Sequence, residues 1–299
     1  MVARSPVTAP EPRVWTTDDV LRWAADDFRS RGMESPRLDA ELLLARALLS
    51  TRIQLIVDSK RPLGAEELAR FRELVKRRRA REPIAYILGE REFYGRPFRV
   101  DPRVLVPRPD TETLVDVALE RTRGMSMSMR ALDLCTGSGC VAITLARERP
   151  TSSFLATDLS DGALEVARDN AVRLGAYNVA FRQGDLFAAA NWPRPFHLVT
   201  ANPPYVAAAD IAALAPDIRE FEPSMALEAG SDGLCVLRRI VSEAPSHVVG
   251  TGGVLVVEVG AGEADAVVDL FEGAGFSGIE VRRDYARIQR VVSGVLHTR

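Results

Sequence analysis

Apolar residues recur at two different spacings along this chain, and the change from one to the other divides it. Up to about residue 88 the spacing is helical. Thr16-Thr17-Asp18-Asp19 is a helix start ahead of Val20, Leu21, Ala24, Ala25 and Phe28, which fall on one helical face. Gly32 ends that segment. Ser35-Pro36 opens the next, as N-cap and first-turn proline. Leu38, Leu42, Ala45 and Leu49 give this second helix an apolar stripe, and after Pro62 and Gly64 a third helix carries Leu68, Phe71, Leu74 and Val75. Residues 14–89 are therefore expected to form a small helical bundle without strands.

Glu82 to Gly89 leads into Glu92-Phe93-Tyr94-Gly95-Arg96-Pro97-Phe98-Arg99-Val100, two β-prone runs around a Gly-Arg-Pro turn, which predicts a hairpin within residues 90–106. Leu114, Val115, Val117 and Ala118 mark a helix that Asp110 or Thr111 can cap. Residues 124–129 are expected to be an exposed loop. From Arg130 the pattern alternates. Strands are predicted over 131–134, 153–157, 179–182, 196–201, 253–259, 278–282 and 288–293, and helices over 139–148, 161–174, 232–247 and 263–274. Strands alternating with helices imply an α/β domain, residues 107–299, with a mainly parallel sheet covered on both faces. Asp284 to Arg287 are too few for a crossover helix, so the last two strands form a hairpin and one late strand runs antiparallel.

Composition narrows the classes. Apolar residues make up 46% and charged residues 27%, ordinary for a soluble globular chain. The formal net charge of -2 predicts no general attraction to nucleic acid. Cys135, Cys140 and Cys235 have no metal-ligand spacing and no disulfide framework, which fits a cytoplasmic protein without a metal. His197, His247 and His297 are scattered, and the expected roles are structural. No apolar run reaches membrane-spanning length. Residues 1–13 are proline-rich and polar, and the expectation there is a disordered tail.

The candidate chemistry sits where the predicted strands end. Asp133 and the loop Cys135-Thr136-Gly137-Ser138-Gly139 follow the first strand of the second domain, where glycines let backbone approach a ligand. Asp158 ends the second strand, where a carboxylate can accept both hydroxyls of a ribose. Asp185, followed by Leu186, ends the third and can reach an adenine amine. Asn202-Pro203-Pro204-Tyr205 ends the fourth. Two consecutive prolines stop the strand in a stiff corner. The Asn202 side-chain oxygen and the Pro203 carbonyl are two acceptors beside an aromatic ring, suited to a planar NH2 group of an amide or a base. Taken alone, the tetrapeptide is equally a strand-ending turn. Gly137 to Ala142 also fit a dinucleotide loop, but Asp133 before the glycines and the Asn202 corner at the same sheet edge favour S-adenosylmethionine over NAD.

Together these residues resemble the HemK/PrmC family of glutamine methyltransferases that modify peptide chain release factors. The resemblance rests on Glu82-Pro83-Ile84-Ala85-Tyr86, Gly89 to Tyr94, Val106-Pro107-Arg108-Pro109-Asp110-Thr111-Glu112, residues 133–139, Asn202 to Tyr205, Phe221-Glu222-Pro223 and Arg290 to Gly294. It implies a Rossmann-like class I methyltransferase domain, with S-adenosylmethionine as methyl donor and S-adenosylhomocysteine as product. Methyl transfer goes to the amide nitrogen of glutamine in a Gly-Gly-Gln motif. The implied partners are class I release factors, with no membrane and no direct nucleic acid contact, and the expected state is a monomer. Asn202, Pro203 and Tyr205 carry the catalytic expectation, and Asn202 to Tyr205 the substrate-binding one. Asp133, Cys135 to Gly139, Asp158, Asp185, Leu186 and Asn202 carry the cofactor expectation. Phe93, Pro107 and Glu112 are expected to wall the pocket. The helical bundle, with its basic run Lys76 to Arg81, is the expected grip on the substrate protein. Cys135 departs from the glycine usual in this family, and slightly altered packing is expected there. A sister family that methylates a ribosomal-protein glutamine shares Cys-Thr-Gly-Ser-Gly but lacks the pattern of Arg108 to Glu112. Two other readings are an amino methyltransferase of nucleic acid and a non-catalytic binder of S-adenosylmethionine.

Overall fold

The computed structural model describes residues 14–125, 128–190 and 195–297, and the expected tail of residues 1–13 lies outside them. The chain divides into two compact units after Leu88. The first is helical: α1 (Thr17–Ser30), α2 (Pro36–Leu48), α3 (Arg52–Val57), α4 (Ala65–Arg79) and α5 (Ile84–Leu88). Thr16 caps α1 in a reciprocal capping box with Asp19. Val20, Leu21, Ala24, Ala25 and Phe28 are all buried, as their spacing requires.

The second helix turns a different face inward. Ala40, Leu43, Leu44 and Ala47 are buried with Ala45, whereas Leu38 and Leu49 are exposed. This helix is apolar on most sides, so two overlapping stripes can be drawn through it. Leu49 also lies past its end, in a left-handed C-cap. The pattern did not reveal α3, whose Ile53, Ile56 and Val57 are exposed and whose one buried residue is Leu55. Nor did it reveal α5. Within Glu82–Gly89, Tyr86 and Ile87 both donate to the Pro83 carbonyl and start a helical turn.

Most cations of the basic run have partners within the bundle. Arg77 pairs with Glu82, Arg78 with buried Asp39, and Arg79 with Asp27 while lying over the Trp23 ring. Arg81 donates to the Arg31 carbonyl. Four of its cations are thus paired within the bundle, with Arg78 buried and Arg77 still exposed.

The second unit begins with a hairpin, β1 (Glu90–Phe93) and β2 (Arg96–Arg99). Its turn is Tyr94-Gly95, with φ of 52° and 69°, instead of the expected Gly-Arg-Pro. Two consecutive left-handed residues form the two-residue turn whose twist matches paired strands. Pro97 is tolerated inside β2 because this sheet has only two strands, so each has a free edge.

After α6 (Glu112–Arg121) come β3 (Arg130–Leu134), α7 (Cys140–Glu148), β4 (Ser153–Asp158), α8 (Asp161–Leu174), β5 (Val179–Gln183) and β6 (Leu198–Ala201). A short α9 (Pro216–Arg219), then α10 (Cys235–Glu243), β7 (Thr251–Glu258), α11 (Ala264–Gly273), β8 (Phe276–Arg283) and β9 (Gln289–His297) complete it. The sheet order is β5-β4-β3-β6-β7-β9-β8. Its first five strands are parallel, and β9 lies antiparallel between β7 and β8. Alternate side chains enter opposite cores. Leu132, Val199 and Leu255 meet α10 and α11, while Ala131, Leu198 and Val254 meet α6 and α7. Met129, assigned to an exposed loop by its Ser-Met surroundings, is buried in the second core. Residues 126 and 127 of that loop lie outside the described residues.

Candidate active site at the strand tips

Parallel register brings the C-terminal ends of β3, β4, β5, β6 and β7 to one edge, where open α/β sheets bind ligands. A cavity of about 500 Å³ opens there, of a size suited to a nucleoside-scale ligand. Asp133, Cys135, Thr136, Gly137, Ser138, Asp158, Asp185, Leu186, Asn202 and Pro204 all line it. The sequence placed these residues together, and the fold brings them to one wall.

The loop after β3 is built by its own carboxylates. Asp133 is buried and accepts from the Thr136 hydroxyl at 2.6 Å and the Thr200 hydroxyl at 2.7 Å. Burial pushes its carboxyl up to about 6, against the pull of those hydrogen bonds. Asp158 accepts the Gly137 N–H at 2.8 Å and the Ser160 N–H at 2.9 Å, which ties the first loop to the second. Burial raises its carboxyl as well. Gly137 and Gly139 are both left-handed, with φ of 54° and 80°. A Cβ on Gly137 would meet open space, whereas one on Gly139 would lie 2.7 Å from the Ile143 side chain. Gly137 thus leaves room for a ligand, and Gly139 lets α7 start against its neighbours. Cys135 is left-handed too, at φ 55°. The conformation, more than packing, explains why glycine suits that position.

Asp185 does not stand free. Arg239 of α10 holds both its oxygens, at 2.8 and 3.2 Å, and also lines the cavity. The bare loop at Gly137, the two strand-end carboxylates and the cavity size fit an adenosyl ligand with a ribose diol.

At the β6 tip, Asn202 Nδ2 donates to the Thr111 hydroxyl at 3.2 Å. Pro203 is buried and Pro204 lines the cavity, while Pro203 and Tyr205 are not among its lining residues. The Tyr205 hydroxyl lies 3.5 Å from Glu258 Oε1, and burial raises the phenol. Neither Asp110 nor Thr111 caps α6 through its side chain, and the Thr111 hydroxyl instead accepts from Asn202. Pro107, Arg108 and Thr111 line the cavity. Phe93 is instead buried edge-on against Phe98 in the hairpin core, and Glu112 accepts the Tyr94 N–H at 2.7 Å. The expectation that these two wall the pocket fails because the hairpin turns them into its own packing. Two residues escaped the sequence reading. Glu258, only 1% exposed, ends β7 with its carboxyl pushed up to about 7 by burial. The available signal was an acid closing the apolar run Val254 to Val257. Arg239 showed no signal of its own.

His197 accepts the Arg130 N–H through Nδ1, and His247 stacks on Phe187. Among the described residues no cluster of His, Cys, Asp and Glu can hold a metal ion, and no helix is long and apolar enough to cross a membrane.

Comparison with known proteins agrees with this architecture. Residues 19–89 match the PrmC N-terminal domain, and residues 111–218 the methyltransferase small domain. A release factor glutamine methyltransferase of Geobacter sulfurreducens is 43% identical over 95% of this chain and 98% of its own length. The chain belongs to the release factor glutamine methyltransferase family. A second family member, from Cereibacter sphaeroides, is 42% identical over 93% of this chain and 98% of its own. A solved methyltransferase from Pyrococcus furiosus, 17% identical, superposes with a TM-score of 0.52 over 75% of this chain and all of its own, and shares the fold. Family membership makes the chain a class I methyltransferase in fold, with the sheet order described above.

Proposed function

We propose that this chain transfers a methyl group from S-adenosylmethionine to the side-chain amide nitrogen of the glutamine in the Gly-Gly-Gln motif of class I release factors. The observation that carries this reading is the Asn202 corner at the edge of the cavity, with its amide nitrogen tied to Thr111. That tie leaves the Asn202 oxygen as the free end of the carboxamide. The Pro203 carbonyl is a second acceptor, which has no N–H of its own residue beside it.

S-adenosylmethionine, when bound, supplies an electrophilic methyl group. Asp158 would hold the ribose diol, Asp185 and the Leu186 backbone the adenine end, and the Cys135-to-Gly139 backbone the remainder. The acceptor amide is a weak nucleophile because its lone pair is delocalised. Asn202 Oδ1 and the Pro203 carbonyl each accept one of its hydrogens and hold the nitrogen in line. They also favour the positive charge that grows on nitrogen. Tyr205 borders the planar group. Once the methyl has moved, the surplus proton leaves to solvent, so no strong base is needed. Release factors present this glutamine on a folded protein, and the helical bundle is the candidate grip.

The deciding experiment is mass spectrometry of a release factor before and after incubation with enzyme and S-adenosylmethionine. A gain of one methyl on the Gly-Gly-Gln glutamine is expected. Methylation of a ribosomal protein instead, or label in nucleic acid, would overturn the reading.

A further inference from the structure

We infer that Arg239 is a specificity-determining residue of the cavity, which fixes the Asp185 carboxylate so that it reads the amino group of the cofactor's base. Asp185 stands on a tight turn. A Cβ on Gly184, just before it, would lie 2.6 Å from Ala189 Cβ, so the chain closes on itself there. Leu186, just after it, is buried in the core and left-handed, at φ 47°. The Asp185 backbone is therefore held on both sides. Its side chain is not, since half of it is exposed. Alone, it could turn through several rotamers.

Arg239, 54 residues further on in α10, removes that freedom. Nη2 donates to Oδ2 at 2.8 Å and Nη1 to Oδ1 at 3.2 Å. A guanidinium fork with two such bonds sets the plane of a carboxylate as well as its position. Val236, one turn earlier, lines the cavity with Arg239, so α10 and the β5 tip form one wall at this end. An ion pair with both partners about half exposed adds little to stability. Its place in the cavity wall, beside Leu186 and Val236, gives it a role in binding instead.

Each carboxylate oxygen has two lone pairs, and Arg239 takes one from each. The lone pairs that remain can only accept. That suits a 6-aminopurine, whose exocyclic NH2 donates. A 6-oxopurine would set its own oxygen against them. Without the fork, Asp185 can swing into solvent, and the cavity loses both grip on the amine and discrimination against the oxo group.

This inference rests on the proposed placement of the adenine, and its test separates it from the proposed function. Binding of S-adenosylhomocysteine and of its 6-oxo analogue, S-inosylhomocysteine, is measured by calorimetry with wild type, Arg239→Ala, Asp185→Ala and the double variant. Arg239→Ala should raise the Kd for S-adenosylhomocysteine about 3- to 5-fold, the upper range open to an exposed ion pair. The Kd for the inosyl analogue should stay near its wild-type value, because that base makes no bond to Asp185 for Arg239 to support. The double variant should bind no more weakly than Asp185→Ala alone, since both changes break one chain of contacts. In methyl transfer to a full-length release factor, Arg239→Ala should raise KM for S-adenosylmethionine by the same factor and leave kcat intact. Equal weakening of both ligands, losses that multiply in the double variant, or a wild-type Kd for either single variant would each overturn the inference. Wild type that binds S-adenosylhomocysteine but methylates no release factor would sink the proposed function, and the binding comparison would still decide the role of Arg239.

Discussion

Arg108 donates to Glu222 Oε1 at 2.6 Å and joins two segments 114 residues apart beside the cavity. Glu222 Oε2 also accepts the Val106 N–H at 3.3 Å, so one buried acid holds both ends of the Val106-to-Arg108 stretch. The Glu222 side chain is 1% exposed and that of Arg108 31%. Removing the cation leaves a buried charge without its partner, and burial already raises that carboxyl. Arg108→Ala should therefore destabilise by ~2 kcal/mol, less than a fully buried pair would lose because the guanidinium is partly hydrated. Thermal unfolding of the variant at neutral pH checks this.

Asn202→Ala removes the acceptor proposed to orient the substrate amide. The loss should resemble removal of one preorganised partner of a reacting group, ~3 kcal/mol or about 10²-fold in kcat. Cofactor binding, followed by calorimetry with S-adenosylhomocysteine, should change little. A kcat within a few-fold of wild type would contradict the role.

Cys135→Gly is expected to stabilise the chain. A non-glycine residue at φ 55° carries ~1–2 kcal/mol of strain. Glycine relieves it but loosens the unfolded chain by ~0.4–1 kcal/mol. A net gain of about 0.5–1 kcal/mol should appear in denaturant titration, and a β-branched Cys135→Val should lose stability.

Gly139→Ala should do the reverse. Its φ of 80° disfavours a side chain, and the new Cβ would sit 2.7 Å from Ile143 Cδ1 and 3.2 Å from Ala167 Cβ. Ile143 must take another rotamer in its buried site and Ala167 must give way, at a cost of ~1–3 kcal/mol, the usual range for overpacking. A lowered melting temperature together with weaker S-adenosylhomocysteine binding is the expected pair of results.

Glu258 gives a pH-dependent stability with a definite sign. Its carboxyl is raised from 4.5 to about 7 by burial, with Asp110 adding to the shift and Thr111, Arg290 and Tyr205 opposing it. The folded chain thus favours the protonated form. The stability this contributes is complete below pH 4.5 and is lost as pH rises to about 7. Glu258→Gln abolishes that titration. The variant should match wild type near pH 4.5 and exceed it at pH 8 by up to ~3 kcal/mol. Asp133, raised to about 6, titrates in both proteins and cancels in the difference. Equal melting curves at pH 8 would contradict the assignment.

The sheet was legible because a buried parallel strand leaves a continuous apolar run and its helices leave capping residues. Leu132, Val199 and Val256 sit in such runs, and all are buried. The strand-tip residues were legible for the same reason, since finding the strand ends finds the site. What stayed hidden depended on side chains meeting across distance. Thr111 reads as a cap and becomes a partner of Asn202. Arg79 reads as part of a basic run facing a partner and is paired with Asp27 instead. In α2, where nearly every side is apolar, periodicity offers two faces and only packing chooses.

The position of β9 has a consequence for vectorial synthesis. The strand Gln289–His297 is inserted between β7 and β8, both made before it. Until it emerges, both neighbours carry open backbone edges able to recruit a strand from another chain. A nascent molecule stalled before Gln289 would hold its cavity-forming strands but lack the piece that seals them. It should depend on a chaperone in a way the finished chain does not.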